Sequence, residues 1–135
     1  MNIKSKRITI RSSKKVEFID LTWRIEEEIK DAGVKEGFCI IYVPHTTAGI
    51  TINENADPDV VRDIITRLDT IAPESANYAH TEGNAPAHVK ASIIGSSVSV
   101  IVENGRLVLG RWQGIFFCEF DGPRSRELYI KIMGS

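Results

Sequence analysis

The chain has only three histidines, His45, His80 and His88, and each stands in an unusual setting. His45 follows Pro44 at the end of an apolar run, within PHTTAG. His80 lies in the polar stretch ESANYAHTEGN, and His88 in APAHVKASIIG. Imidazole is the commonest side-chain ligand of a borderline cation such as zinc. Three imidazoles also leave a coordination position open for water or substrate, as catalysis requires. The interval between His80 and His88 is not a local zinc signature. On spacing alone, three unrelated histidines are the plainer reading.

Other polar groups gather near these positions. NENADPD follows the strand that begins just after His45. Asp57 and Asp59 are explained as a helix cap and its first-turn acid. Asn53 and Glu54 are not, and Glu54 is a candidate general acid/base or ligand partner. LGRWQGI sets Arg111, Trp112 and Gln113 before an apolar strand, where Trp112 serves either as filler or as the wall of a planar-ligand site. EFDGPRSR carries Glu119, Asp121, Arg124 and Arg126. The turn accounts for Asp121, Gly122 and Pro123, while Arg124 offers a fork matched to phosphate or is simply solvated. Gly95-Ser96-Ser97 reads as a helix end or a small anion nest. Ser92 or Thr47 with a histidine would make a hydrolase, though adjacency is not readable from sequence. No Walker loop, dinucleotide fingerprint or nucleophile elbow is present.

Bulk properties narrow the classes. At 135 residues the chain fits a single domain, 1–135. Seventeen basic residues face eighteen acidic ones, so no broad basic field exists for a nucleic-acid backbone. The start, MNIKSKRITIRSSKK, lacks the apolar core of a signal peptide, and no run is long enough to span a membrane. A cytoplasmic protein is expected. Cys39 and Cys118 sit inside apolar runs and read as buried small hydrophobes.

The elements that must position these groups follow from periodicity. Ile3, Ile8 and Ile10 alternate with polar residues, predicting a strand over 3–11, with a short one around 16–19. Leu21, Ile25 and Ile29 recur at helical spacing, with Asp20 and Thr22 as candidate caps and Gly33 as the stop. GFCIIYVP is almost continuously apolar and predicts a buried strand, ended by Pro44. AGITINEN alternates. Asp57-Pro58 opens a helix whose stripe runs Val61, Ile64, Ile65, Leu68, Ile71 and which Pro73 closes. Residues 74–84 read as a functional loop, and a short helix follows at about 85–95. Asn104-Gly105 between alternating strands predicts a type I′ hairpin. GIFFCEF, DGPRS and RELYIKIM predict a second hairpin with a longer turn. About seven strands and three helices give an α+β fold with an antiparallel or mixed sheet.

Three long motifs carry a family resemblance: HTTAGITINENADPDV, YAHTEGNAPAHVKASIIGSS and NGRLVLGRWQGIFFCEFDGPRSREL. From about Gly37 to the C-terminus the chain resembles the YjbQ family, described as secondary thiamine-phosphate synthases. The resemblance implies a small homotrimeric protein. It implies a reaction joining hydroxymethylpyrimidine diphosphate to thiazole phosphate with release of pyrophosphate. A non-catalytic or regulatory module binding a phosphorylated metabolite or a metal is the alternative. His45 matches the histidine of the family's HT(T/S)A motif, His80 that of Y-x-H, and His88 that of A-H-(V/I/L)-K-x-S, with Lys90 and Ser92 in place. These histidines are then the expected ligands of a divalent metal, zinc being one candidate, or of an anion. Glu54 and His88 are the expected catalytic groups. Asn53, Lys90, Ser92, Trp112, Gln113, Glu119 and Arg124 are expected to bind substrate, in a site shared between subunits.

Overall fold

Eight strands and three helices succeed one another along residues 1–135, all of which the computed structural model describes. They are β1 (Asn2–Arg11), β2 (Glu17–Asp20), α1 (Thr22–Ala32), β3 (Gly37–Tyr42), β4 (Ala48–Glu54), α2 (Pro58–Ile71), α3 (Ala85–Ile94), β5 (Ser97–Glu103), β6 (Arg106–Leu107), β7 (Gln113–Glu119) and β8 (Ser125–Gly134). A five-stranded sheet has the order β1-β8-β3-β5-β6, and a three-stranded sheet the order β2-β7-β4. Every pairing is antiparallel. The α+β class holds, with eight strands where about seven are expected, and β6, the second strand of the predicted Asn104-Gly105 hairpin, is only two residues long. No helix is long and apolar enough to cross a membrane.

Two cores share β7. Ile115 and Phe117 face the larger core, where they meet Ile25 and Ile29 of α1, Ile41 of β3, Ile50 of β4 and Leu128 of β8. Phe116 and Cys118 point the other way, onto Leu68 of α2 and Ala87 and Ala91 of α3. The layers are therefore the large sheet, the main core with α1, the small sheet, and then α2 with α3. A strand apolar on both faces is stable only between two such layers. That is why the predicted β7–β8 hairpin does not form. β7 pairs with β2 and β4, while half-polar β8 pairs with β1 and β3. The 120–124 turn carries the chain from one sheet to the other.

β3 also departs from expectation. Cys39 and Ile41 are buried, but Phe38, Ile40 and Tyr42 lie open on the outer face of the large sheet. No layer of this chain covers that face. Local signals otherwise act as their chemistry requires. Asp20 accepts the Thr22 N–H at 2.9 Å and its hydroxyl at 2.6 Å, opening α1. Gly33 ends that helix at φ 69°, the left-handed region. Asp57 accepts the Asp59 N–H at 2.9 Å ahead of Pro58. Asn104 at φ 53° and Gly105 at φ 73° make the two positive-φ residues of the β5–β6 turn.

Candidate functional site

The end of β3, the 43–47 segment, the start of α3 and the 120–124 turn enclose a polar cavity of about 680 Å³. Of its thirteen lining residues only two are hydrophobic. His45, His88, Arg124 and Arg126 are among them, with Asp121 and Glu82 supplying carboxylates.

Its floor is a buried ion pair. Arg126 shares the inward phase of β8 with Leu128, Ile130 and Ile132, and is 5% exposed. Glu119 continues the inward phase of Ile115 and Phe117 and is fully buried. Arg126 Nε donates to Glu119 Oε1 at 2.9 Å, and Nη2 donates to Oε2. Nη2 also reaches the Thr47 hydroxyl at 2.8 Å, tying the 43–47 segment down. Ser12 Oγ donates to Glu119 Oε1 at 2.7 Å. Burial alone would raise the Glu119 carboxyl, but Arg126, Ser12 and the Asp121 N–H together hold it below its ordinary value. Arg126 Nε and Nη2 are thus both held by the protein, while no protein hydrogen bond uses Nη1.

A second network forms the rim. Asp121 Oδ2 accepts from Arg124 Nη2 at 2.9 Å and from Asn84 Nδ2 at 3.0 Å. Burial opposes ionisation of Asp121, yet Asn84 and Arg124 draw its carboxyl below the usual range. Asn84 stands at the N-cap of α3 but makes no side-chain cap. Its amide instead joins Asp121 to His80, whose Nε2 lies 3.0 Å from Asn84 Oδ1. An amide oxygen only accepts, so His80 carries its proton on Nε2.

The three histidines are neighbours without forming one ligand set. The His80 and His88 rings meet edge to face at 5.2 Å, and His45 and His88 share the cavity wall. His45 Nε2, however, accepts the Glu127 N–H at 2.9 Å. Burial, then the Arg126 charge, push the His45 imidazole below its ordinary 6.5, so it is neutral at pH 7. His45 has its Nε2 lone pair spent on an amide, which does not suit a ligand of a three-histidine metal centre, whereas the Asn84 contact leaves Nδ1 of His80 free. No group of three or more His, Cys, Asp or Glu side chains is arranged to hold a metal ion.

The other expected site residues divide. Arg124 lines the cavity. Ser92 lies in an adjoining groove with His45 and His88, its hydroxyl donating to the His88 carbonyl at 2.9 Å. Glu119 positions Arg126 rather than meeting the cavity. Lys90 is 3% exposed and paired with Asp69 of α2, away from the cavity. Asn53, Glu54 and Gln113 stand at the far end of β4 and β7, where Glu54 pairs in register with Gln113. Six residue steps along β4 put them about 20 Å from its His45 end. Trp112 sits beside them, half exposed. Neither the Ser92 nor the Thr47 hydroxyl has a histidine partner, so no nucleophile–base pair is assembled.

Arg126, Asp121 and Asn84 are among the cavity residues that sequence reading did not select. Arg126 had a signal: it is a charge in the buried phase of an otherwise alternating strand. Asp121 had none beyond the turn that explains it locally, and Asn84 had none because it ends a loop without periodicity. Cys39 and Cys118 are buried free thiols, as expected. Burial pushes Cys39 up to about 11, and Cys118 higher still.

Known proteins place the chain clearly. The family model described as UPF0047 protein YjbQ-like matches residues 6–135. The UPF0047 protein YugU of Bacillus subtilis is 55% identical over 130 residues, covering 96% of this chain and 98% of that protein. A UPF0047 protein of Methanocaldococcus jannaschii is 54% identical over 125 residues, covering 93% and 91%. Among solved structures, an uncharacterized conserved protein of the YjbQ/UPF0047 family from Clostridium acetobutylicum superposes with a TM-score of 0.92 at 51% identity, covering 95% of this chain and 99% of that one. A YbjQ-like protein of unknown function from Sulfolobus solfataricus gives 0.95 at 33% identity, covering 99% of both.

Proposed function

Because the chain belongs to the UPF0047 protein YjbQ-like family, we propose that its polar cavity binds a phosphorylated small metabolite and that it has thiamine-phosphate synthase-like activity. One observation carries the reading: the Arg126 guanidinium is buried, fixed by Glu119 and Thr47, and borders a largely polar cavity with Arg124 and two imidazoles. A preorganised guanidinium binds a phosphoryl group with little reorganisation. Both arginines already have carboxylate partners, so the lining is close to neutral and recognition rests on directed donors rather than on excess charge. In the synthase reaction these donors would hold the phosphate or the departing pyrophosphate.

The position of Glu54 favours a second reading, a binding or regulatory module, because the proton-shuttling carboxylate is remote from the cavity within one chain. Assembly bears on this. The outer face of the large sheet exposes Ile3, Phe38, Ile40, Tyr42, Ile101 and Tyr129, with Arg7 and Lys131 among them, an apolar content of the kind that marks an interface. In register, Phe38 lies between Ile101 and Met133, and Met133 beside Ile3. We propose that a homotrimer covers this face. Tyr42 belongs both to it and to the cavity wall, so the cavity borders the proposed interface.

Purified protein given hydroxymethylpyrimidine diphosphate and thiazole phosphate tests the choice. Formation of thiamine phosphate, lost in Arg124→Ala and Glu54→Gln, is expected. Tight binding of either phosphate without turnover would establish the module instead.

A further inference from the structure

His45 is held in a way that runs opposite to the habit of a metal-ligating histidine. Such a histidine donates its second ring N–H to a carboxylate, a carbonyl or water, which makes the ligating nitrogen more basic. Here the second contact is a backbone N–H, that of Glu127 on β8, and an amide can only donate. Nε2 must therefore keep its lone pair, and in the neutral ring the proton sits on Nδ1. The residue cannot easily turn away. Its neighbour Thr47 is bonded through its hydroxyl to Arg126, and through its carbonyl to the Phe120 N–H at 3.2 Å. The ring stands between the main cavity and the adjoining groove of Ser92 and Ser96.

We infer that His45 serves the cavity as a fixed Nδ1–H hydrogen-bond donor to an oxyanion, and that it is not a metal ligand. The inference deepens the phosphate reading above and rests on it. Arg126 lines the same cavity and has no protein hydrogen bond on Nη1, so it would supply a charged donor beside this neutral one. That suits a single phosphoryl group recognised without a metal on His45. Burial and the nearby Arg126 charge both oppose protonation of the ring, which agrees with a neutral imidazole.

The test uses ¹⁵N-labelled, chelator-treated protein at pH 7.5. A long-range ¹H–¹⁵N correlation spectrum reads the tautomer directly. The Nδ1–H pattern is expected for His45, unchanged by one equivalent of zinc. Inorganic phosphate is then titrated into the wild type, His45→Asn and His45→Leu, each confirmed folded by its amide spectrum. Asn retains a donor near the Nδ1 position, so its affinity should stay within about threefold of wild type, whereas Leu should lose about tenfold. An Nε2–H pattern, or a His45 signal moved by zinc, overturns the inference and leaves the phosphate reading standing. Equal losses in the two variants overturn the donor role. A wild type that binds no phosphate while showing the Nδ1–H pattern overturns the phosphate reading, and the oxyanion role with it.

Discussion

At the scale of single residues, the Glu119–Arg126 pair is the most exacting feature of the site. Glu119 is fully buried and Arg126 only 5% exposed, so removing one strands the other. Glu119→Gln or Arg126→Met should each cost about 3–5 kcal/mol in urea unfolding. The double variant Glu119→Leu/Arg126→Met should recover part of that loss, because the desolvation penalties vanish together. The acid limb has a definite sign. The folded Glu119 carboxyl lies below its ordinary 4.5, so its contribution is complete above that value and is lost as pH falls through the folded one. Asp121 adds in the same direction. Unfolding free energy followed from pH 7 down to 3 should therefore fall below about pH 4.5, and less steeply in the double variant. Arg126 was legible in principle, as a charge in an apolar phase. The His45 tautomer was not, because its determinant is an amide eighty-two residues away.

At the scale of elements, close backbone approach and caps decide what tolerates change. A Cβ on Gly37 would stand 1.9 Å from the Met133 carbonyl oxygen, where β3 crosses the end of β8. Gly37→Ala should cost about 1–3 kcal/mol as the strands separate. Asp57→Ala removes only the cap of α2 and should cost about 1 kcal/mol. Thermal or urea unfolding of both variants checks the order. Capping residues, turn dipeptides and stripe periodicity were readable because each is a local bargain between a few neighbouring residues. The pairing of β7 was not: a run such as IFFCEF says that both faces are buried, but not which layers bury them. Lys90 illustrates the same limit. Its motif position suggested a ligand contact, yet its helical phase turns it onto Asp69, where it fastens α3 to α2.

At the scale of the whole molecule, the reading of β3 as a buried strand and the bare outer face of the large sheet belong together. The run FCIIYV has the composition of a strand covered on both sides, and one chain covers only one. A second and third copy would supply the missing layer and reconcile pattern with structure. Light scattering should then give a trimer for the wild type. Phe38→Lys/Ile101→Glu should give a folded monomer, since both side chains point outward and leave the main core intact. Assembly also decides how Glu54 can matter. If a neighbouring copy brings it to the cavity, Arg124→Ala and Glu54→Gln proteins, each inactive alone, should regain part of the synthase activity when dissociated and reassembled as a mixture. The same mixture prepared on the Phe38→Lys/Ile101→Glu background should stay inactive. Recovery in the first and silence in the second would place the catalytic carboxylate across the interface. Recovery in neither, with trimers intact in the first, would mean that no neighbouring copy brings Glu54 to the cavity.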